Sequence, residues 1–227
     1  KDLYDLIDKR LKLLSSNQLD VQNAFNKIRR DNKTGFDYVI ERSYQRPRDI
    51  ISYINLAIEE SNNKTSFTRD IIFKVETKYS LYRFQALEDE WSENYGNFKL
   101  ATTFLQGIHN GFRLKSINEN SFEDVYLCDD PINTFNGELL HAVSEWRTDS
   151  IKYTVFLKKL ILILFRIGIL GIKKGPNYPP VFYYDYDVLI DKNDISNNSR
   201  FYVHPSLFSY FKINVMAQLP EDTEGEE

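Results

Sequence analysis

The stretch YTVFLKKLILILFRIGILGIKK, from Tyr153 to Lys174, holds two kinds of structure in one run. Its first part, read from Ile151 to about Ile167, is apolar on most faces, as expected of a buried helix. Its second part, GILGIKK, is short, β-branched and followed by the turn residues GPNYPP. The apolar run from Leu160 is too short to span a bilayer and is broken by Arg166. A buried helix that leads into a strand accounts for the whole stretch.

Downstream, VFYYDYD and SRFYVH repeat the strand signal, with DKNDISNNS between them. PSLFSYFKI then returns to a helical pattern, with Pro205 at its first position. Helices followed by a small β-hairpin beside the last long helix predict a winged-helix-like module over residues 95–215. Residues 216–227 end in PEDTEGEE, which has five acids and no base and predicts a disordered tail.

Upstream, residues 1–94 read as a helical, lid-like bundle. The first helix runs from about Asp2 to Leu14, and a weaker one from about Val21 to Arg30. Thr34–Gly35 starts a short segment carrying Phe36, Val39 and Ile40. A helix beginning at Pro47 ends at the polar breaker ESNNKTS. Residues 66–93 form one long helix capped by Ser66 or Thr68, its charged outer face solvated. NFKLATTFLQGI is read as another helix, Phe112–Ile117 as extended, and Ser121 with Asp124 as a capping pattern. Glu138 to Trp146 is a further helix. The fold class is therefore mainly α, with a small β-hairpin near the end.

Composition narrows the function. The chain has 227 residues and a net charge of −4, so there is no global drive toward nucleic acid. A single cysteine, Cys128, excludes an intramolecular disulfide and points to a cytoplasmic protein, and the short apolar run from Leu160 gives no reason to expect a membrane partner. His109, His141, His204 and Cys128 lack zinc spacing, so no metal is expected. No G-x-x-x-x-G-K-[ST] and no nucleophile with a partner pair occurs, so the chain as given is not read as an enzyme. It opens on Lys1, already inside an amphipathic pattern, which predicts a fragment or a processed product.

YQRPRDIISYINLA, Tyr44 to Ala57, raises a specific question. Ile50, Ile51, Ile54, Ala57 and Ile58 mark a helix face, and Pro47 fits the first helical position. Arg46 and Arg48 then lie at a helix N-terminus, where positive charge costs about 0.3–1 kcal/mol. Asp49 offsets part of this. One reading has both arginines reach Glu41, Asp49 or solvent. The other has them bind an anion such as phosphate.

A family resemblance favours the second. ERSYQRPRDIISYINLAIEES, VETKYSLYRFQALEDEW, LFRIGILGIKK and RFYVHPSLFSYFKI together resemble the C-terminal half of bacterial AAA+/STAND-like P-loop ATPases of a defence-associated (antiphage) type. The resemblance covers most of the chain, and RPRD is its most specific motif. It implies a preceding ATPase core, with ATP and Mg²⁺ as the cofactors of the intact protein and none in this chain. It implies that Arg48, with Arg46 second, is a sensor arginine that reaches nucleotide phosphate from a lid helix. It also implies that His204, at a strand end before Pro205, contacts the ADP phosphate as a latch. Against that stands a simply packed histidine.

Two other classes remain. Residues 151–175 carry Lys152, Lys158, Lys159, Arg166, Lys173 and Lys174 with no acid. Lys158, Lys159, Lys173 and Lys174 are thus candidates for nucleic-acid contact by a winged-helix DNA binder. Exposed aromatics around VFYYDYDV would instead suit an interaction module, with an effector protein or a second copy as partner.

Overall fold

The computed structural model describes residues 2–15, 19–25, 29–30, 33–62, 66–175, 177–183, 190–191 and 193–213. The acidic tail lies outside these residues. The architecture is mainly helical with a small antiparallel sheet, as the sequence predicts. The chain divides into two compact units, Lys1–Arg83 with Pro205–Ser209, and Phe84–His204 with Tyr210–Glu227.

The first unit is built from α1 (Asp2–Leu14), α2 (Val21–Phe25), a small ladder of β1 (Arg29–Arg30) with β2 (Lys33–Thr34), α3 (Gly35–Glu41), α4 (Pro47–Ser61) and the first part of α5 (Arg69–Trp91). The helix expected to run to Arg30 is described over Val21–Phe25, and Arg29 and Arg30 are not helical but pair with Thr34 and Lys33. The apolar spacing of α4 is borne out, and that of α1 in part, since Leu6 and Leu14 are exposed. Ile7, Leu11, Ile50, Ile54 and Ala57 are fully buried in one core with Phe67, Val75 and Tyr79. Each such aliphatic side chain contributes about 1.5–3 kcal/mol by leaving water. Thr68, not Ser66, takes the capping position of α5, accepting from the Ile71 N–H at 3.4 Å.

The outer face of α5 is not wholly solvated. Glu76 is buried, receiving Arg42 Nε at 2.9 Å and the Tyr38 hydroxyl at 2.6 Å. Arg42 also stacks 3.5 Å from the centroid of the Tyr38 ring. A paired and hydrogen-bonded carboxylate is the form in which a buried charge is tolerable.

α3 starts with a reciprocal cap. The Asp37 N–H donates to Thr34 Oγ1 at 3.2 Å, and the Thr34 N–H donates to Asp37 Oδ2 at 3.0 Å. Thr34→Ala is expected to cost about 1 kcal/mol. In urea, the unfolding midpoint should fall with an unchanged slope. An unchanged midpoint would show that the cap contributes nothing.

The second unit carries the remainder of α5, then α6 (Glu123–Tyr126), α7 (Pro131–Thr134), α8 (Gly137–Arg147), α9 (Tyr153–Ile167), β3 (Leu170–Lys173) and β4 (Arg200–Val203). Several local readings need correction. NFKLATTFLQGI forms a 3-10 turn over Leu100–Leu105, not an α-helix. The Thr102 and Thr103 hydroxyls donate back to the carbonyls of Lys99 and Leu100, a local bonding that competes with the α-helical ladder. Pro205 starts only the 3-10 turn Pro205–Leu207. Ser121 is not a cap, because a 3-10 turn over Glu119–Phe122, capped by Asn118, precedes α6.

α9 is buried at Phe156, Leu157, Leu160–Phe165 and Ile167, and Trp146 of α8 stacks on Phe156 at 4.4 Å. Gly168 closes the helix at φ +91°, where the Ile169 N–H reaches the Leu164 carbonyl at 2.9 Å. The chain then enters β3, which pairs antiparallel with β4, Leu170 opposite Val203 and Lys173 opposite Arg200. Single bridges extend this sheet on both sides, Phe112 to Phe201 and Val181 to Ile172. Most of VFYYDYDV lies outside the described residues.

Candidate functional site

The start of α4 concentrates the polar chemistry of the first unit. Gln45 adopts φ +53°, turning the chain, and Arg46 follows in an extended conformation as the residue before the helix. Arg46 gives no side-chain cap, so the helix opens on Pro47 with its N-terminal end uncapped. The Asp49 and Ile50 N–H groups both donate to the Arg46 carbonyl, at 3.0 and 3.2 Å.

Here the three charged side chains part company. Arg46 and Arg48 are exposed, whereas Asp49 is 2% exposed. Asp49 Oδ1 lies 3.6 Å from Nη1 of Arg83, itself 1% exposed, and 3.9 Å from Nε of Arg48. The Arg83 guanidinium sits 4.6 Å from the Tyr44 ring centroid, and that of Arg46 lies 5.7 Å from the same ring. Burial pushes the Tyr44 phenol up to about 12, with the Arg83 charge pulling against it and hydrogen bonds to Ser206 and Arg83 assisting. Tyr79, beside this cluster, is likewise raised by burial and by the Asp49 charge.

The sequence places Asp49 as compensation for Arg48. In the structure, Asp49 serves a buried arginine as well. Its carboxylate is buried, while Arg46 and Arg48 remain exposed on the solvent side of the helix start. Arg83 is the residue that sequence reasoning missed. Its only signal was an arginine within an otherwise apolar stretch of α5, between Tyr82 and Phe84.

The other candidates belong to the second unit. His204 is fully buried, its N–H donating to the Ile169 carbonyl at 2.9 Å and its ring meeting Phe182 edge-on at 5.0 Å. In this arrangement it is a packed residue at the end of β4. Lys158 and Lys159 lie on α9, and Lys173 and Lys174 at the end of β3. The acids absent from residues 151–175 arrive from elsewhere. Lys159 pairs with Glu145 of α8, Arg166 with Glu138, and Lys174 with Asp194 at 2.9 Å. These contacts cancel part of the basic strip. Lys173 faces Arg200 instead. Among the described residues no group of three His, Cys, Asp or Glu side chains is placed to hold a metal. Nor is any helix among them long and apolar enough to cross a membrane.

Residues 1–88 are similar to the family described as the FunZ-associated C-terminal helical domain. That span contains Arg46, Arg48, Asp49 and Arg83, so the whole α4 cluster falls inside the matched region. It ends within α5 and leaves the sheet of the second unit outside. No curated protein and no solved structure matches the chain.

Proposed function

We propose that this chain is the non-catalytic C-terminal portion of a P-loop ATPase of the AAA+/STAND-like kind, and that the start of α4 reads the phosphates of nucleotide held by the ATPase core. The similarity to a helical domain described as C-terminal supports that placement. The observation that carries the proposal is the division of charge at α4. Arg46 and Arg48 stand exposed at an uncapped helix end, while the one acid of the first turn is buried with Arg83. A guanidinium and a helix N-terminus together favour a polyphosphate, and each alone opposes the other. Arg48 would stabilise charge on the transferring phosphoryl group, with Mg²⁺ and the bond-breaking machinery supplied by the core.

In the intact protein, Arg48→Ala is expected to lower ATP turnover by about 10²-fold, the usual loss for one charge-stabilising donor. Arg48→Lys should recover part of it, since Lys keeps the charge without the planar fork. Turnover equal to wild type in Arg48→Ala, measured by phosphate release, would remove the sensor reading. ATP hydrolysis by the purified 227-residue chain would remove the non-catalytic reading.

A further inference from the structure

The sheet of the second unit sets three cations in a row. β4 runs between β3 and the Phe112 segment. Lys173 is paired with Arg200 on one side. On the other, the Phe201 N–H donates to the Phe112 carbonyl at 2.8 Å, and the Gly111 N–H donates to the Phe201 carbonyl at 3.0 Å. Phe201 thus faces both Gly111 and Phe112, a bulge that Gly111 makes without strain at φ +89°. Beyond the bulge Arg113 is extended, and the register places it opposite Arg200.

Side chains alternate across strands, and the burial of β4 follows that rule. Phe112, Phe201 and Ile172 are buried on one face, while Arg113, Arg200 and Lys173 are partly exposed on the other. Tyr202 lines the same open side. A Cβ on Gly111 would lie 3.2 Å from the Tyr202 ring, so the ring lies over the glycine. An open cavity of about 730 Å³ lies here, lined by Arg113, Lys115, Ser116, Arg200 and Tyr202, with His109 beside them. None of its lining residues is acidic.

An anionic chain can meet cations set side by side on one sheet face. The row crosses two inter-strand spacings, about 10 Å, more than one phosphate group covers. The surface is a sheet face with an aromatic ring lying on it. Unstacked bases can lie on such a ring.

We propose that this face binds single-stranded nucleic acid, with Arg113, Arg200, Lys173 and Lys115 on successive phosphates and Tyr202 under a base. This site is independent of the role given to α4. It also differs from the strip of Lys158, Lys159, Lys173 and Lys174, from which only Lys173 is retained.

The test is fluorescence anisotropy of the full chain with labelled oligo-dT and oligo-U of about 12 nucleotides, within the site sizes usual for single-strand binding. At about 50 mM salt both should bind, and affinity should fall steeply as salt rises. The tighter of the two identifies DNA or RNA as the strand. Lys115→Glu and Arg113→Glu should each weaken binding by about tenfold or more and flatten the salt slope by about one contact. Tyr202→Leu should weaken it by about 5- to 100-fold with the salt slope unchanged. Lys158→Glu, away from the row, should leave it unchanged. Lys115 is exposed, so its variant keeps the test valid if Arg113→Glu fails to fold. No binding of either oligonucleotide overturns the proposal. So does tighter binding of a duplex of the same length, equal loss in Lys158→Glu, or full displacement by an equimolar amount of free ATP.

Discussion

Asp49→Asn is expected to destabilise the first unit by about 3–5 kcal/mol, the cost of leaving one member of a buried ion pair without its partner. The two side chains are 2% and 1% exposed, with Asp49 Oδ1 3.6 Å from Arg83 Nη1. Once the carboxylate is gone, the guanidinium keeps the Tyr44 ring face at 4.6 Å but loses the opposite charge beside it. A ring quadrupole offsets only about 0.5–2 kcal/mol. The measurement is urea unfolding followed by far-ultraviolet circular dichroism. A loss below about 1 kcal/mol would show that the pair is not desolvated as described. The double replacement Asp49→Leu with Arg83→Met is the informative partner, because an apolar substitute for a buried pair is often neutral. It should restore most of the stability. Arg48→Ala makes the contrast. Its Nε is 3.9 Å from the same carboxylate, but its side chain is 64% exposed, so its stability cost should be near zero. Stability and anion recognition should therefore separate cleanly between Arg83 and Arg48.

Gly137→Ala should cost about 3 kcal/mol or more in the second unit, since two effects add. Gly137 has φ +54°, a left-handed conformation that costs an L-residue about 1–2 kcal/mol. An added Cβ would also lie 2.2 Å from the backbone oxygen of Asn94, which cannot swing aside as a side chain could. Overpacking of this kind adds about 1–3 kcal/mol. The neighbouring Asn136 holds the same loop in place. Its amide donates to the carbonyls of Ser92 and Glu93 at 2.9 and 3.1 Å, and its oxygen accepts the Gly96 N–H. Moving the Asn94 carbonyl would disturb those bonds. Gly107→Ala separates the two effects, since Gly107 has φ +67° but nothing within 4 Å of where the new methyl group would sit. It should cost only the conformational part, about 1–2 kcal/mol. Equal thermal midpoints for the two variants would contradict the steric account.

What could be read from the sequence follows from the range of each interaction. Pro47, the apolar face after it and the Thr34 start of α3 are local, with spacings set by the helix itself, and they are found where expected. The switch from α9 to β3 was legible because period and residue type change together across Gly168. The 3-10 turns at Leu100–Leu105 and Pro205–Leu207 were not, because the apolar spacing of a short 3-10 segment resembles one α-helical turn. The partners of the candidate residues were the least legible. Asp49 and Arg83 are far apart in sequence, and so are Arg113 and Arg200. Only tertiary pairing brings either couple together. The strip at residues 151–175 misled for the same reason in reverse, since its neutralising acids come from Glu138, Glu145 and Asp194.

The short return of Pro205–Ser209 into the first unit bears on how the chain is made. Ser206 hydrogen-bonds Tyr44, the Phe208 ring lies 6.0 Å from the Arg42 guanidinium, and Ser209 Oγ donates to Thr77 Oγ1 at 3.1 Å. On the ribosome, residues 1–83 emerge before the second unit, yet the groups that finish the surroundings of Tyr44 emerge only after β4. The start of α4, which carries Arg46 and Arg48, therefore gains its last neighbours only when nearly all of the second unit has been translated.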